Sequence, residues 1–316
     1  MTITSSKFAL CLLLFVSFVW GAEFVLIDMT INQLPTNTLN TLRFLVAAMT
    51  LLPFYYFSKE RRQTKAIVPL LACGIILGFL LFLGFYGQTE GMRFTSVSNA
   101  GFITGLNVPL VSLLGFLIFR NRTRWSGWLG IISATLGLYF LTMSETSQLN
   151  KGDALVLVCA FGFALHIIFT DKFIKNLPII SLCIIQFFAV AFFSLMAALL
   201  SGEPLFYLPG NEVVTWYQQI FTPLIVSTLL IAGVLGTAMA YWAQSACQQN
   251  LAPHKVALVF ATEPVFAHGA AWLFLDEHLG FMGLLGAGLI ILGMVISEMG
   301  DKKNNTASMM SVNPIR

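Results

Sequence analysis

Long apolar runs alternate with short polar breaks along nearly the whole chain. Runs of spanning length fall at about 8–28, 38–58, 66–88, 97–119, 125–143, 153–171, 178–200, 219–244, 255–275 and 279–298. About twenty apolar residues in helical form cross the hydrocarbon core of a bilayer. An open strand would leave backbone groups unpaired in lipid, so each run predicts a helix. The pattern therefore predicts an all-α integral membrane protein with ten transmembrane helices. The run at 219–244 has the least regular start, at Phe221, Thr222 and Pro223. Residues 1–22 have the outline of a signal peptide, with Lys7 before an apolar stretch. The apolar run nevertheless continues through Leu26 and Ile27, long enough to span, so the segment is read as a retained first helix.

The basic residues set the expected orientation. With the N-terminus inside, the inner side collects 14 Lys and Arg, including Lys7, Arg61, Arg120, Lys172 and Lys303, and the outer side only Arg93 and Lys151. Arg43 falls within the second run. Such a bias predicts cytoplasmic N- and C-termini, because positive loops stay inside. One missed helix would reverse every later loop, so the bias also supports ten.

Composition agrees. Hydrophobic residues make up 57% of the chain and charged residues 10%, against about 25% charged in soluble domains. Too few charges remain to cover a soluble surface. The net charge of +3 forms no dense basic tract, so no nucleic-acid partner is expected. Cys11, Cys73, Cys159, Cys183 and Cys247 sit in or beside apolar runs without a CxxC and read as small hydrophobes. Zinc-ligand spacing, a phosphate-cradling glycine loop and a nucleophile–base pair are all missing. Neither a cofactor nor an enzymatic activity is expected. The longest polar stretches are 201–218, with Pro209, Gly210, Asn211 and Glu212 in succession, and a tail at 301–316 expected to be disordered.

The two halves resemble each other. SFVWGAEFVLID, Ser17 to Asp28, parallels AFGFALHIIFTD, Ala160 to Asp171. That match places Trp20 on Phe163 and Glu23 on His166. FITGLNVPLVSLLGFLIF, from Phe102, parallels ALVFATEPVFAHGAAWLF, from Ala257, with Pro109 on Pro264 and Asn107 on Thr262. Gly127, Gly130 and Gly137 then fall on Gly283, Gly286 and Gly293. These small residues suit close helix approach in lipid. Each copy holds five runs, an odd number, so the copies must be inverted. The expected units are residues 1–147 and 148–300. Inverted repeats are a recurring transporter plan, with the site near the midplane between them.

The motifs VWGAEF (Val19–Phe24), LRFLVAAMTLLP (Leu42–Pro53), SNAGFITGLNVPLVSLLG (from Ser98) and ATEPVFAHGAAWLFLDEHLG with GLLGAGLIILG (Ala261–Gly293) carry a resemblance to a known family. They resemble the drug/metabolite transporter superfamily in its EamA-type branch, from about Leu12 to Ser297. The resemblance implies ten helices around a central cavity. It also implies export of small metabolites or drugs, often amino-acid-like, across the cell inner membrane. Two departures stand out. Glu23 replaces a usually uncharged polar residue, and Arg120, Asn121 and Arg122 stand where an acidic residue commonly follows the fourth helix. The second copy keeps Asp276 and Glu277.

Intramembrane ionisable groups are expensive and usually face a cavity or a partner. Glu23 either binds a solute amine or proton, or snorkels or pairs structurally. His166 either titrates near neutrality or packs as a hydrogen-bonded neutral ring. Glu263, beside helix-breaking Pro264, either lines the cavity or neutralises a partner such as Arg43. Arg43 is read first as half of an ion pair. Asn107 offers amide groups, and Trp20, Phe102, Tyr241 and Trp242 offer flat apolar contact. The expected function is alternating-access transport of a small solute, with proton exchange on Glu23 or Glu263. The partners are the solute, protons and the lipid bilayer. The competing readings are an uncoupled facilitator or channel and a membrane enzyme or scaffold.

Overall fold

A computed structural model describes residues 5–60, 67–95, 97–120, 123–142, 150–203, 220–275 and 280–311. Their regular elements are all helical. α1 (Ser6–Ile31), α2 (Thr36–Phe57) and α3 (Ile67–Gly91) take the first three apolar runs. The fourth run is divided into α4 (Val97–Gly105) and α5 (Asn107–Phe119). α6 (Trp125–Thr142), α7 (Lys151–Phe173) and α8 (Ile179–Ser201) follow as single helices. The eighth run is α9 (Pro223–Leu230), a π-helical stretch (Ile231–Met239) and α10 (Ala240–Gln248). The ninth is α11 (Pro253–Phe260) and α12 (Glu263–Leu275), and α13 (Phe281–Ser311) closes the chain.

Among the described residues, six spans are long and apolar enough to cross a membrane: α1, α3, α4–α5, α7, α8 and α9–α10. The outside of the bundle is greasy. Phe57 is 84% exposed, Leu200 88%, and Phe54, Leu117 and Phe192 are also exposed. In water such a continuous apolar surface would be an association hazard; in lipid it is the required face.

The breaks in the fourth and ninth runs have the same cause. A proline lacks the amide hydrogen, and its ring clashes with the carbonyl four residues back. That carbonyl belongs to Gly105 for Pro109 and to Phe260 for Pro264, and α4 and α11 end at those two residues. The breaks, at Leu106 and at Ala261–Thr262, therefore fall at matching positions of the two copies. The last helix differs from expectation. α13 stays helical to Ser311, past Gly300, where the tail was expected to begin. Between Gly300 and Pro314 no glycine or proline stops it. Asn121, Arg122, Asp276, Glu277 and the run Pro209 to Glu212 lie outside the described residues.

Contacts between the halves come in reciprocal pairs. Asp28 and Asp171 fix an offset of 143 residues between the first two helices of each copy. At that offset Phe44 and Phe187 are counterparts, and they pack on each other at 5.9 Å in the middle of the α2–α8 contact. Glu60, just beyond α2, accepts bonds from the first-turn amides of α8, Ile180 at 3.3 Å and Ser181 at 3.1 Å. Its counterpart Glu203, just beyond α8, accepts from Asn37 Nδ2 at 2.7 Å. The Asn37 and Thr38 amides of the first turn of α2 act on the same carboxylate. Asn37 and Thr38 are the counterparts of Ile180 and Ser181. Each carboxylate thus meets the positive end of the other copy's helix, at opposite ends of one antiparallel pair.

α6 and α13 repeat the arrangement with glycines. A Cβ at Gly130 would stand 2.6 Å from Gly293 O, and one at Gly137 2.6 Å from Gly286 O. The two contacts are copies of each other, and between them Ser133 Oγ donates to Leu289 O at 2.8 Å. Ser133 and Leu289 are again counterparts. The close glycine packing read from the sequence is present at Gly130, Gly137, Gly286 and Gly293.

Candidate functional site

A central cavity of about 660 Å³, counted with its mouth, lies between the halves. Trp20, Glu23, Arg43, Asn107, His166, Tyr241 and Glu263 all line it. Phe102 and Trp242 do not. Phe102 lies edge-on to Tyr139 at 6.5 Å, facing α6. Trp242 follows Tyr241 by one residue, about 100° around the helix, and packs against the core instead.

Glu23 comes from α1 and Arg43 from α2. Both are buried, and Arg43 Nη2 meets Glu23 Oε1 at 2.5 Å. Arg43 Nε donates to Thr237 Oγ1 at 2.7 Å, and the guanidinium lies 4.6 Å over the Phe85 ring. The π-helical stretch makes this possible. Its wider turn lets Thr237 Oγ1 donate five residues back, to Ala232 O at 2.7 Å, while still accepting from Arg43. The carbonyl of Gly236 accepts from Trp20 Nε1 at 2.6 Å. Any side chain at Gly236 would run into the Glu23 carboxylate. Such π segments concentrate at functional sites.

The second copy holds the neutral version of the same contact. His166 and Gln186 occupy the positions of Glu23 and Arg43, and His166 Nε2 lies 2.9 Å from Gln186 Oε1. The histidine ring stands edge-on to Tyr241 at 5.4 Å. His166 is therefore a hydrogen-bonded packing residue as well as a cavity wall.

Glu263 is the first residue of α12, at the break before Pro264. The sequence left open a pairing of Glu263 with Arg43; the arginine pairs with Glu23 instead. Among the described residues Glu263 has no hydrogen bond or ion pair, although its charge and those of Glu23 and Arg43 act on one another. Gly21 lets α1 come close here, since a Cβ would lie 2.8 Å from Glu263 O. Asn107, the first residue of α5, has its Oδ1 buried without a partner.

At one end of the cavity hydrogen bonds tie neighbouring helices together. Gln248 Nε2 donates to Ile167 O at 2.8 Å, and Gln244 Nε2 to Gln248 Oε1 at 3.2 Å, tying α10 to α7. Ser17 Oγ reaches Val259 O at 3.3 Å, tying α1 to α11. Toward the other end the walls continue to Ile27 and Met92, near the ends of α1 and α3. Sequence reasoning missed Phe85, Gln88, Thr104, Gln244 and Phe260 as lining residues. It also missed Gln186 as partner of His166, although the 143-residue offset already placed Gln186 opposite Arg43.

The chain matches the EamA-like transporter family over residues 7–143 and 150–299. It is 29% identical over 283 residues to an uncharacterized transporter of Archaeoglobus fulgidus, covering 89% of this chain and 82% of that one. It is 26% identical to a probable amino-acid metabolite efflux pump of Salmonella typhimurium, covering 94% and 96%. An uncharacterized inner membrane transporter of Escherichia coli, YedA, is 23% identical over 89% of this chain and 88% of its own length. A crystal structure of a protein 14% identical superposes with a TM-score of 0.71, over 95% of this chain and 99% of that one, and so shares the fold.

Proposed function

We propose that this chain, which belongs to the EamA-like transporter family and is a membrane transporter, is a secondary transporter. It moves small metabolites or drugs outward across the cell inner membrane by alternating access, and it is not an enzyme. Both termini face the cytoplasm in this reading, as the Lys and Arg bias predicts. The two copies change places about the solute, which sits between them near the broken helices. Glu263 is the group that takes up a proton when the solute leaves and gives it up when the solute returns.

One observation carries the reading: an acidic side chain without a partner, on a broken helix, facing a cavity between inverted copies. Discontinuous helices at the midplane are where transporters of this plan hold their ligands. The name of the efflux-pump relative supports the outward direction and an amino-acid-derived solute.

The test is solute-driven proton movement in proteoliposomes. Saturable flux accompanied by a pH change is expected for the native chain, with coupling lost in Glu263→Gln. Flux that stays linear to very high solute concentration would favour a channel. Unchanged coupling in both Glu263→Gln and Glu23→Gln would remove the proton role.

A further inference from the structure

We infer that the cavity selects solutes bearing one positive charge on an apolar or aromatic body, and that it does not anchor a free carboxylate. This deepens the transporter reading and rests on it.

Three ionisable groups of fixed sign meet in the cavity, the acids Glu23 and Glu263 and the base Arg43. Glu23 and Arg43 neutralise each other at 2.5 Å. Arg43 is further engaged by Thr237 at one edge and by Phe85 on its face. A solute carboxylate would have to displace Glu23 to reach it, and would then lie among two other acids. One formal negative charge, on Glu263, remains without a counter-ion. Glu263 is half-buried, and a charge at that depth in a membrane is costly unless paired, so a cationic solute or a proton completes the site.

The uncharged groups point the same way. Asn107 Oδ1 and Glu23 Oε2 are buried acceptors with no donor. Trp20 Nε1, a donor that could have held an anion, is spent on Gly236 O. A headgroup rich in N–H donors suits such a surface; one rich in acceptors does not. The walls add aromatic faces. Trp20 lies 4.7 Å from Phe260 and 5.5 Å from Tyr241, centroid to centroid. Aromatic faces attract cations and accept apolar bodies. Amines and amino-acid amides or esters therefore fit, while a free amino acid leaves its carboxylate unpaired. Because Glu263 meets either the cation or the proton, the two exclude each other, and binding of a permanent cation releases a proton.

The experiment is titration calorimetry on the full chain in detergent with four probes sharing one ring: benzyltrimethylammonium, phenylalaninamide, phenylalanine and phenylpropionate. The two cations should bind at least about tenfold more tightly than the zwitterion and the anion, a difference of about 1.4 kcal/mol. Benzyltrimethylammonium should release a proton, read from the buffer dependence of its heat. Glu263→Gln should erase the preference for cations. The proton release is read on the native chain, so the test does not depend on that variant folding. Equal or tighter binding of phenylalanine or phenylpropionate, no proton release, or no binding by any probe overturns the inference. Saturable transport of an anion would sink it while leaving the transporter reading intact. Cation binding that depends on Glu263, in a chain whose flux never saturates, would do the reverse.

Discussion

The Glu23–Arg43 pair should respond unequally to removal of its two charges. Breaking a buried ion pair typically costs about 3–5 kcal/mol, because the survivor is left unpaired in a poor solvent. Here the survivors differ. Arg43→Met leaves Glu23 and Glu263, two carboxylates acting on one another in one cavity. It also leaves Thr237 without its donor and Phe85 without its cation. Glu23→Gln leaves Arg43 facing the charge of Glu263, and the glutamine carbonyl can still accept from Nη2. The expected loss for Arg43→Met is therefore the full ~3–5 kcal/mol, and for Glu23→Gln about 1–2 kcal/mol, the scale of one weakened charged hydrogen bond. Adding Glu263→Gln to Arg43→Met should recover about 0.5–3 kcal/mol, the range of coupling between residues in one charge network. Stability would be followed by denaturation in mixed detergent micelles at constant pH, one variant at a time and in the paired combinations. Equal losses for the two single variants, or no recovery from the added Glu263→Gln, would show that Glu263 does not share the field of this pair.

Three further outcomes follow from the contacts between the halves. Gly293→Ala places a Cβ 2.5 Å from Gly130 O and should cost about 1–3 kcal/mol of stability by overpacking, whereas Gly288→Ala, with nothing within 4 Å of its Cβ, should be neutral in the same thermal melts. Glu60→Gln weakens two charge-assisted bonds to the α8 amides and should lose about 1.5–3 kcal/mol. Glu203 should behave differently, because burial pushes its carboxyl above the usual range, against the lowering by Asn37. A raised carboxyl pKa means that the folded chain holds more protons than the unfolded one, so stability falls as pH rises from the ordinary carboxylate range through the raised value. Glu203→Gln should remove that slope in melting temperatures taken across the acidic range; a slope that persists unchanged would place it elsewhere.

Much of the scaffold was legible because a bilayer leaves few choices. Apolar length located the runs, and Pro264 reads as helix-breaking, but the matching break before Pro109 was missed, and Pro53 lies inside α2 without breaking it. The depth of Glu23, Arg43, His166 and Glu263 within apolar runs was enough to bring them to one cavity. Three things were not legible. The π-helical stretch at Ile231–Met239 depends on Thr237 and Gly236 meeting Arg43 and Trp20 across the bundle, and nothing in IAGVLGTAM announces it. Which acid takes Arg43 is decided by geometry between helices, since both candidates lie at suitable depth. Aromatic side chains were the poorest guide. Phe102 and Trp242 have the same composition signal as Trp20 and Tyr241, and only the angle around the helix separates wall from packing.

The reciprocal caps of α2 and α8 bear on the energetics of the whole molecule. Turning the protein end over end about a line between Phe44 and Phe187 carries the Glu60 cap onto the Glu203 cap and the Gly130 crossing onto the Gly137 crossing. In the alternating-access reading, these shared caps and glycine crossings favour neither facing state. A preference then comes from where the halves diverge: Glu23 and Arg43 against His166 and Gln186, Glu263 against Val108, and the π-helical stretch against the regular α3. On that reading the shared frame is a level balance, and these differences are the weights that tip it.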